Sequence, residues 1–297
     1  MKFSPLSSGA RDIGTGELEV VKDLETLRRR VADWRLAGQK IGLVPTMGAL
    51  HAGHLALVEA SKIHCPRTVV TIFVNPIQFN SSSDLDSYPR QESEDLDLLA
   101  KAGVDLVYMP QLDAMYPEGF ATRVSVGVGL GDCLCGAARP GHMEGVATVV
   151  TKLFLRTLPD KAYFGEKDFQ QLLIIKRMSQ DLDMPLKVIP VETVRESDGL
   201  ALSSRNFNLS TEERAVAPLL YRELSGLAEV LRDGSPAAPL LKAATARLLK
   251  GGFAQVDYLE LRAEEDLRHL AVAEGPCRLF AAAFLGDVRL IDNVKVA

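Results

Sequence analysis

Long apolar runs are missing from this 297-residue chain, and no uninterrupted stretch approaches the roughly 20 residues that a membrane-spanning helix needs. An excess of positive charge is missing too. Thirty-four Lys and Arg stand against 39 Asp and Glu, for a net charge of -5, which argues against a protein whose main partner is nucleic acid. Cysteines are few. Cys65, Cys133, Cys135 and Cys277 are scattered unlike a secreted disulfide framework, and Cys133, Cys135 and His142 lack the second ligand pair of a structural zinc site. The first 16 residues, rich in Ser and Gly, carry no basic-then-apolar signal pattern. No internal repeat is present, and the expectation is a cytoplasmic enzyme without a membrane partner.

What is present is an ordinary globular composition, 47% hydrophobic and 25% charged, on a chain longer than the usual single domain. Short apolar runs alternate with helical patterns. The expected strands are Ile41 to Val44, Thr68 to Val74, Val104 to Met109, Ala162 to Phe164 and Leu186 to Val191, with helices near 24–37, 55–63, 92–102, 146–158 and 168–180. This rhythm predicts an α/β fold with a parallel sheet. Asp84 to Arg90 reads as a polar loop. From Ser210 the pattern changes: Ser210-Thr-Glu-Glu213 reads as a capping box heading a long helix that breaks at Gly234-Ser-Pro236, and three strands follow another helix. The expected organisation is an extension over 1–16, a ligand-binding domain over 17–192 and a smaller α+β domain over 193–297.

The most informative stretch runs from Pro45 to His54, Pro-Thr-Met-Gly-Ala-Leu-His-Ala-Gly-His. An apolar strand enters a turn in which Gly48 and Gly53 permit close backbone approach, and a helix opens near His54 with free N–H groups. Phosphate oxygens suit such a turn, and His51 and His54 can donate N–H bonds to charge that grows on a departing phosphate. The plainer alternative is a pair of polar loop histidines, one capping the helix. Gly165-Glu-Lys167-Asp168 lies at a second strand-to-helix junction, where open α/β sheets bind ligands, with Lys167 a point charge and Asp168 otherwise an N-cap. Leu202-Ser203-Ser204-Arg205 offers hydroxyls and a guanidinium to a polyphosphate, or an ST-turn beside an ion pair. Asn75 and Gln78 follow a strand, placed to orient a hydroxyl or carboxylate unless they only bond a turn. Glu92, Glu94, Asp95 and Asp97 form an acidic cluster that could hold hydrated Mg²⁺ with phosphates, or a solvated helix face. Arg139-Pro-Gly-His142 could add a cation.

These segments occur together in a recognisable order: Pro-Thr-Met-Gly-Ala-Leu-His-x-Gly-His, Phe73-Val-Asn-Pro-x-Gln-Phe79, Tyr88-Pro-Arg90, Cys135-Gly-x-x-Arg-Pro-Gly-His142, Phe164-Gly-Glu-Lys-Asp-Phe-Gln-Gln171 and Asp198-Gly-Leu-Ala-Leu-Ser-Ser-Arg-Asn206. From about Leu18 to Asn293 the chain resembles the pantothenate synthetases. The resemblance implies a Rossmann-like nucleotidyltransferase domain with a closing carboxy-terminal lid, and condensation of (R)-pantoate with β-alanine through a pantoyl adenylate, releasing pyrophosphate and AMP. It also implies a homodimer, Mg²⁺ as cofactor and no nucleic acid partner. On matching positions, Met47, Gly48, Ala49, Leu50, His51, Ala52, Gly53 and His54 would line the ATP site. Gly165, Glu166, Lys167, Asp168, Val194, Leu202, Ser203, Ser204 and Arg205 would join them. Gln78 and Gln171 would grip pantoate, Gln78 would also meet β-alanine, and Asp95 would be the magnesium ligand. His54, His51, Lys167 and Arg205 would carry catalysis. Pantoate is already ionised, so it is the departing pyrophosphate that needs help, and His54 is expected to act as a phosphate donor rather than an obligatory proton donor. Some relatives have glutamate where Cys135 stands, and Glu94 replaces what can be aspartate.

Three rival readings keep part of this pattern. A nucleotidylyltransferase acting on a phosphorylated acceptor would share the histidine turn and the Ser-Ser-Arg loop without Gln78 and Gln171 in these contexts. An aminoacyl-tRNA synthetase would need an anticodon-binding extension and a basic surface signal, and neither is evident. A nucleotide-sensing module would bind ATP without turnover, against the presence of both histidines, Lys167 and Arg205.

Overall fold

β-Branched and apolar runs long enough for one strand alternate with helix-length amphipathic segments, and the chain accordingly builds βα units. The computed structural model describes residues 18–127 and 129–297, so the extension expected over 1–16 lies outside the described residues. The first part runs β1 (Glu19–Val21), α1 (Leu24–Leu36), β2 (Ile41–Thr46), α2 (Ala52–His64), β3 (Arg67–Ile72), α3 (Ser82–Asp86), α4 (Glu92–Lys101) and β4 (Leu106–Tyr108). It continues through α5 (Leu112–Met115), α6 (Leu134–Ala138), α7 (His142–Thr157), β5 (Lys161–Gly165), α8 (Phe169–Asp181) and β6 (Lys187–Val191). Local chemistry sets the boundaries: Asp23 caps α1 by accepting the Thr26 N–H at 2.8 Å, and left-handed Gly38 lies just beyond its end.

The six strands form one parallel sheet in the order β1-β4-β3-β2-β5-β6. Successive side chains face opposite sides. Leu43, Val69 and Leu106 therefore join one core with α1, α7 and α8, while Val44, Val70 and Val107 join the other with Leu57, Val58 and Leu99. From β2 the chain builds outward through β3 and β4, then returns to β2's other side with β5. That reversal leaves a crevice at the carboxyl ends of neighbouring strands, where doubly wound sheets bind ligands.

The last part comprises α9 (Thr211–Val216), α10 (Leu219–Leu231), α11 (Ala237–Lys250), β7 (Gln255–Ala263), β8 (Cys277–Leu285) and β9 (Val288–Lys295). Its three strands make an antiparallel sheet in the order β7-β8-β9. Leu220, Leu224, Leu227 and Leu231 recur at helical spacing and bury α10 against it. The two parts share apolar contact, since the Phe280 ring lies 5.9 Å from that of Phe169 and Phe280 and Leu267 belong to the first core. Among the described residues, no helix is long and apolar enough to cross a membrane.

Two expectations are corrected in detail, and one strand was not anticipated. The Ser210 and Glu213 capping box forms with both reciprocal bonds, but the helix it heads stops at Val216 and restarts after Pro218, because proline supplies no N–H and crowds the preceding turn. Ser82 to Asp86, overlapping the expected polar loop, is a helical turn. Strand β1, too short to show a period, pairs with β4 at the sheet edge.

Candidate functional site

The histidine turn leaves the carboxyl end of β2, and Gly165 to Asp168 leave that of β5, its hydrogen-bonded neighbour. Two segments far apart in the chain thus meet at the topological switch. Gly48 has φ +81° and Ala49 φ +50°, a left-handed pair that turns the chain sharply. Asp95 holds this turn: its Oδ2 accepts the Ala49 N–H at 2.8 Å and its Oδ1 the Leu50 N–H at 2.7 Å. Thr46 Oγ1 accepts the Gly48 N–H at 3.2 Å and donates to the Thr71 carbonyl.

Helix α2 is capped by histidines. His51 Nδ1 accepts the Gly53 N–H at 3.1 Å, and His54 Nδ1 accepts the His51 N–H at 3.3 Å, a reciprocal capping box with ring centroids 4.1 Å apart. The consequence is chemical. With both Nδ1 atoms serving as acceptors, each neutral ring carries its proton on Nε2 and can donate it to a ligand. Burial first, then the Lys167 charge, lowers the His51 pKa to about 4. Burial first, then His51 and Lys167, lowers that of His54 to about 3. Both are therefore uncharged near neutrality.

These values yield a pH expectation. The folded-state values lie below the ordinary 6.5, so as pH falls below about 6.5 the unfolded chain takes up protons that the folded one does not. The associated stability is fully present above 6.5 and is lost as pH falls toward 4 and 3. Thermal melts should show this loss, while pantoate-dependent ATP–pyrophosphate exchange by still-folded protein should gain no limb from these histidines between about pH 8 and about 5. A limb in kcat/KM near pH 6.5 that disappears in a His54→Gln variant would contradict it.

The opposite wall is built around Gln78. Asn75, 1% exposed, donates through Nδ2 to Gln78 Oε1 at 3.0 Å and to the Gly145 carbonyl at 3.1 Å, and accepts the Tyr116 hydroxyl at 2.7 Å. Gln78 Nε2 lies 3.1 Å from Met47 Sδ. His142 Nδ1 donates to the Gln78 carbonyl at 2.7 Å, and Arg139 approaches it at 3.4 Å. Burial first, then the Arg139 charge, lowers the His142 pKa to about 4. Asn75 is thus a support for Gln78. Gln170, beside the expected Gln171, is structural as well: it bonds the Leu130 and Cys133 carbonyls and the Cys135 N–H.

One cavity of about 1190 Å³ brings together Met47, His51, Gly53, His54, Gln78, Gly165, Lys167, Asp168, Gln171, Val194 and the Leu202 to Arg205 loop. Gly48, Ala49, Leu50, Ala52 and Glu166, also expected at the ATP site, do not line it. Ala49 and Leu50 are buried behind the turn, and the Ala49 carbonyl accepts Ser204 Oγ at 2.9 Å. Glu166 pairs with Arg278 at 2.8 Å. Asp95, expected as the magnesium ligand, is 1% exposed, both its oxygens hold backbone N–H groups, and it does not line this cavity, a setting that does not fit a metal ligand. Among the described residues no group of three or more His, Cys, Asp or Glu could hold a metal.

Sequence reasoning missed several wall residues. Asp84 pairs with Arg205 at 3.1 Å and with Arg139 at 3.5 Å, holding together two cations that face the cavity. Asp257, Tyr258 and Arg289 enter from the antiparallel sheet, where strand pattern alone marks nothing. From the same sheet, Asn293 Nδ2 donates to the Glu166 and Lys167 carbonyls at 2.8 and 3.0 Å, and Arg195 clamps Asp292 through two bonds. The arrangement offers neutral N–H donors and two cations to a polyphosphate on one side, and an oriented amide to a small polar acid on the other.

Comparison with known proteins gives a consistent result. The sequence model of the family described as pantoate-beta-alanine ligase matches residues 19–295. A pantothenate synthetase of Roseobacter denitrificans is 54% identical over 277 residues, covering 93% of this chain and 97% of the relative. The crystal structure of pantothenate synthetase from Thermus thermophilus matches with TM-score 0.88 and 46% identity, over 94% of this chain and 99% of that one. Pantoate-beta-alanine ligase from Francisella tularensis, complexed with beta-gamma ATP and beta-alanine, matches with TM-score 0.81 and 34% identity over 94% and 98%.

Proposed function

This chain belongs to the pantoate-beta-alanine ligase family, and on that premise we propose how its cavity divides the work. The reaction condenses pantoate with β-alanine, using ATP, to give pantothenate, AMP and pyrophosphate. The observation that carries the assignment of roles is the reciprocal cap of His51 and His54 beside Lys167, at the carboxyl ends of adjacent strands.

In the first step a pantoate carboxylate oxygen bonds to the α-phosphorus of ATP and the bond to the β-phosphate oxygen breaks. No base is needed, because the nucleophile is already an anion. Charge grows on the leaving pyrophosphate, and the Nε2–H groups of His51 and His54 donate to it in a preorganised site. Lys167, the Ser203 and Ser204 loop and Arg205 add positive charge and hydrogen bonds. Arg205 reaches phosphate by exchanging its Asp84 partner. Gln78, fixed by Asn75 and His142, and Gln171 hold pantoate for in-line attack. In the second step β-alanine reacts as its free amine, its ammonium having given one proton to solvent; the nitrogen bonds to the acyl carbon, the bond to AMP breaks, and the nitrogen loses its second proton to solvent. Positioning by Gln78 suffices against so good an electrophile.

Magnesium, which the family resemblance implies, finds no built cage around Asp95. An ion carried by ATP would be held mainly by phosphate oxygens and water, and no step above depends on it. The segment from residue 193 onward acts as the closing lid of the same proposal, and a cytoplasmic homodimer belongs to it on the family resemblance.

The test is an omission assay. AMP should form only with ATP, pantoate and β-alanine together, while ATP–pyrophosphate exchange should need pantoate and not β-alanine. Exchange driven by a phosphorylated acceptor in place of pantoate would overturn the reading.

A further inference from the structure

Arg289 on β9 lines the cavity and has no part in the steps above. Its Nε donates to Asp257 Oδ2 at 2.8 Å, its Nη1 lies 3.4 Å from Cys135 Sγ, and its guanidinium sits 5.8 Å from the Tyr258 ring centroid. Its Nη2 is buried with no hydrogen-bond partner among the described residues. A buried, unpaired donor on a charged group is costly and calls for a reason. The Cys135 thiol, also 3.1 Å from the Tyr258 hydroxyl, is only a weak acceptor. One edge of this guanidinium is therefore anchored and ordered, and the rest of the fork is unspent, the condition for taking up a carboxylate.

The reaction offers two carboxylates. Pantoate's is the nucleophile of the first step, and a guanidinium clamped on it would dull its attack. β-Alanine's takes no part in bond making, so it serves recognition alone. Position favours the second. Cys135 lies in α6, whose C-cap Arg139 approaches the Gln78 carbonyl. Arg289 Nη1, 3.4 Å from the Cys135 thiol, thereby joins the same wall as Gln78, which meets β-alanine in the ligase reading.

We propose that Arg289 binds the carboxylate of β-alanine and so selects amine acceptors that carry an acid group at the far end of a short chain. This rests on the ligase reading above. Cys135 is what leaves the fork open, because a carboxylate at that position would occupy it from within the protein.

The experiment uses the full chain with Arg289→Gln and Arg289→Lys, following pantoate-dependent ATP–pyrophosphate exchange and AMP release against β-alanine and against 3-aminopropanamide, which keeps the amine but lacks the carboxylate. In both variants the KM for β-alanine should rise about 10- to 100-fold, as loss of a charge-assisted contact requires. The preference for β-alanine over the amide should shrink by a similar factor in Arg289→Gln, with exchange falling far less. An unchanged β-alanine KM, or an unchanged preference, overturns the assignment. Exchange and amine capture falling together in both variants also overturns it, by making Arg289 a purely structural residue. Absence of pantoate-dependent exchange in the unaltered chain would instead overturn the ligase reading itself.

Discussion

Replacing His54 with alanine should slow pantoate-dependent ATP–pyrophosphate exchange by roughly 10²- to 10³-fold, the usual loss when one preorganised donor to developing charge is removed. Two effects combine. The Nε2–H aimed at the leaving group disappears, and so does the Nδ1 acceptor of the His51 N–H, which frees the turn that holds His51. His54→Gln separates proton transfer from hydrogen bonding, because a glutamine in this place can accept the capping N–H through its oxygen, as in ordinary capping boxes, and still donate through its amide. It cannot act as an acid. Exchange in His54→Gln should therefore stay within about tenfold of the unaltered chain if donation is the main role, in keeping with the neutral histidine assigned by its low pKa. A glutamine variant as slow as the alanine variant would restore proton donation to His54.

The second large effect should come from a residue with no functional group. A Cβ at Gly145 would stand 2.6 Å from the Ile77 carbonyl oxygen and 2.7 Å from Gln78 Cα. These are backbone atoms, so relief requires the 76–78 turn to move off α7. Gly145→Ala should raise the KM for pantoate at least about tenfold and lower exchange by about 10²-fold, since small misplacements of a positioning group are that costly. Some loss of thermal stability, about 1–3 kcal/mol, should accompany it through overpacking. The KM for ATP should change little, because Lys167 and Arg205 lie on other elements. A pantoate KM that holds steady would show that Gln78 is not held where the structure has it.

The contrast between these positions explains what could be read beforehand. His51, His54 and Lys167 were legible because each lies at a strand-to-helix junction whose backbone pattern is local, and a parallel sheet brings such junctions to one edge. Gly145 was not legible: it lies just before the helix expected from Val146, and its constraint comes from a turn far earlier in the chain. His142 and Gln78 are separated by 64 residues, and nothing in either segment announces the other. Asp95 shows a different limit. Among Glu92, Glu94, Asp95 and Asp97 it alone is buried, and composition cannot tell an acid that meets a cation from one that meets two peptide N–H groups. The break at Pro218 was readable in principle, but the strong capping signal at Ser210 outweighed it.

Asn293 gives the antiparallel sheet a grip on the peptide groups on either side of the Lys167 α-carbon. If β9 swings away, it must either release both carbonyls or drag the lysine with it. In the proposed reading, where Lys167 meets the departing pyrophosphate, a displacement of this sheet would therefore reach the phosphate site through the two bonds of one amide.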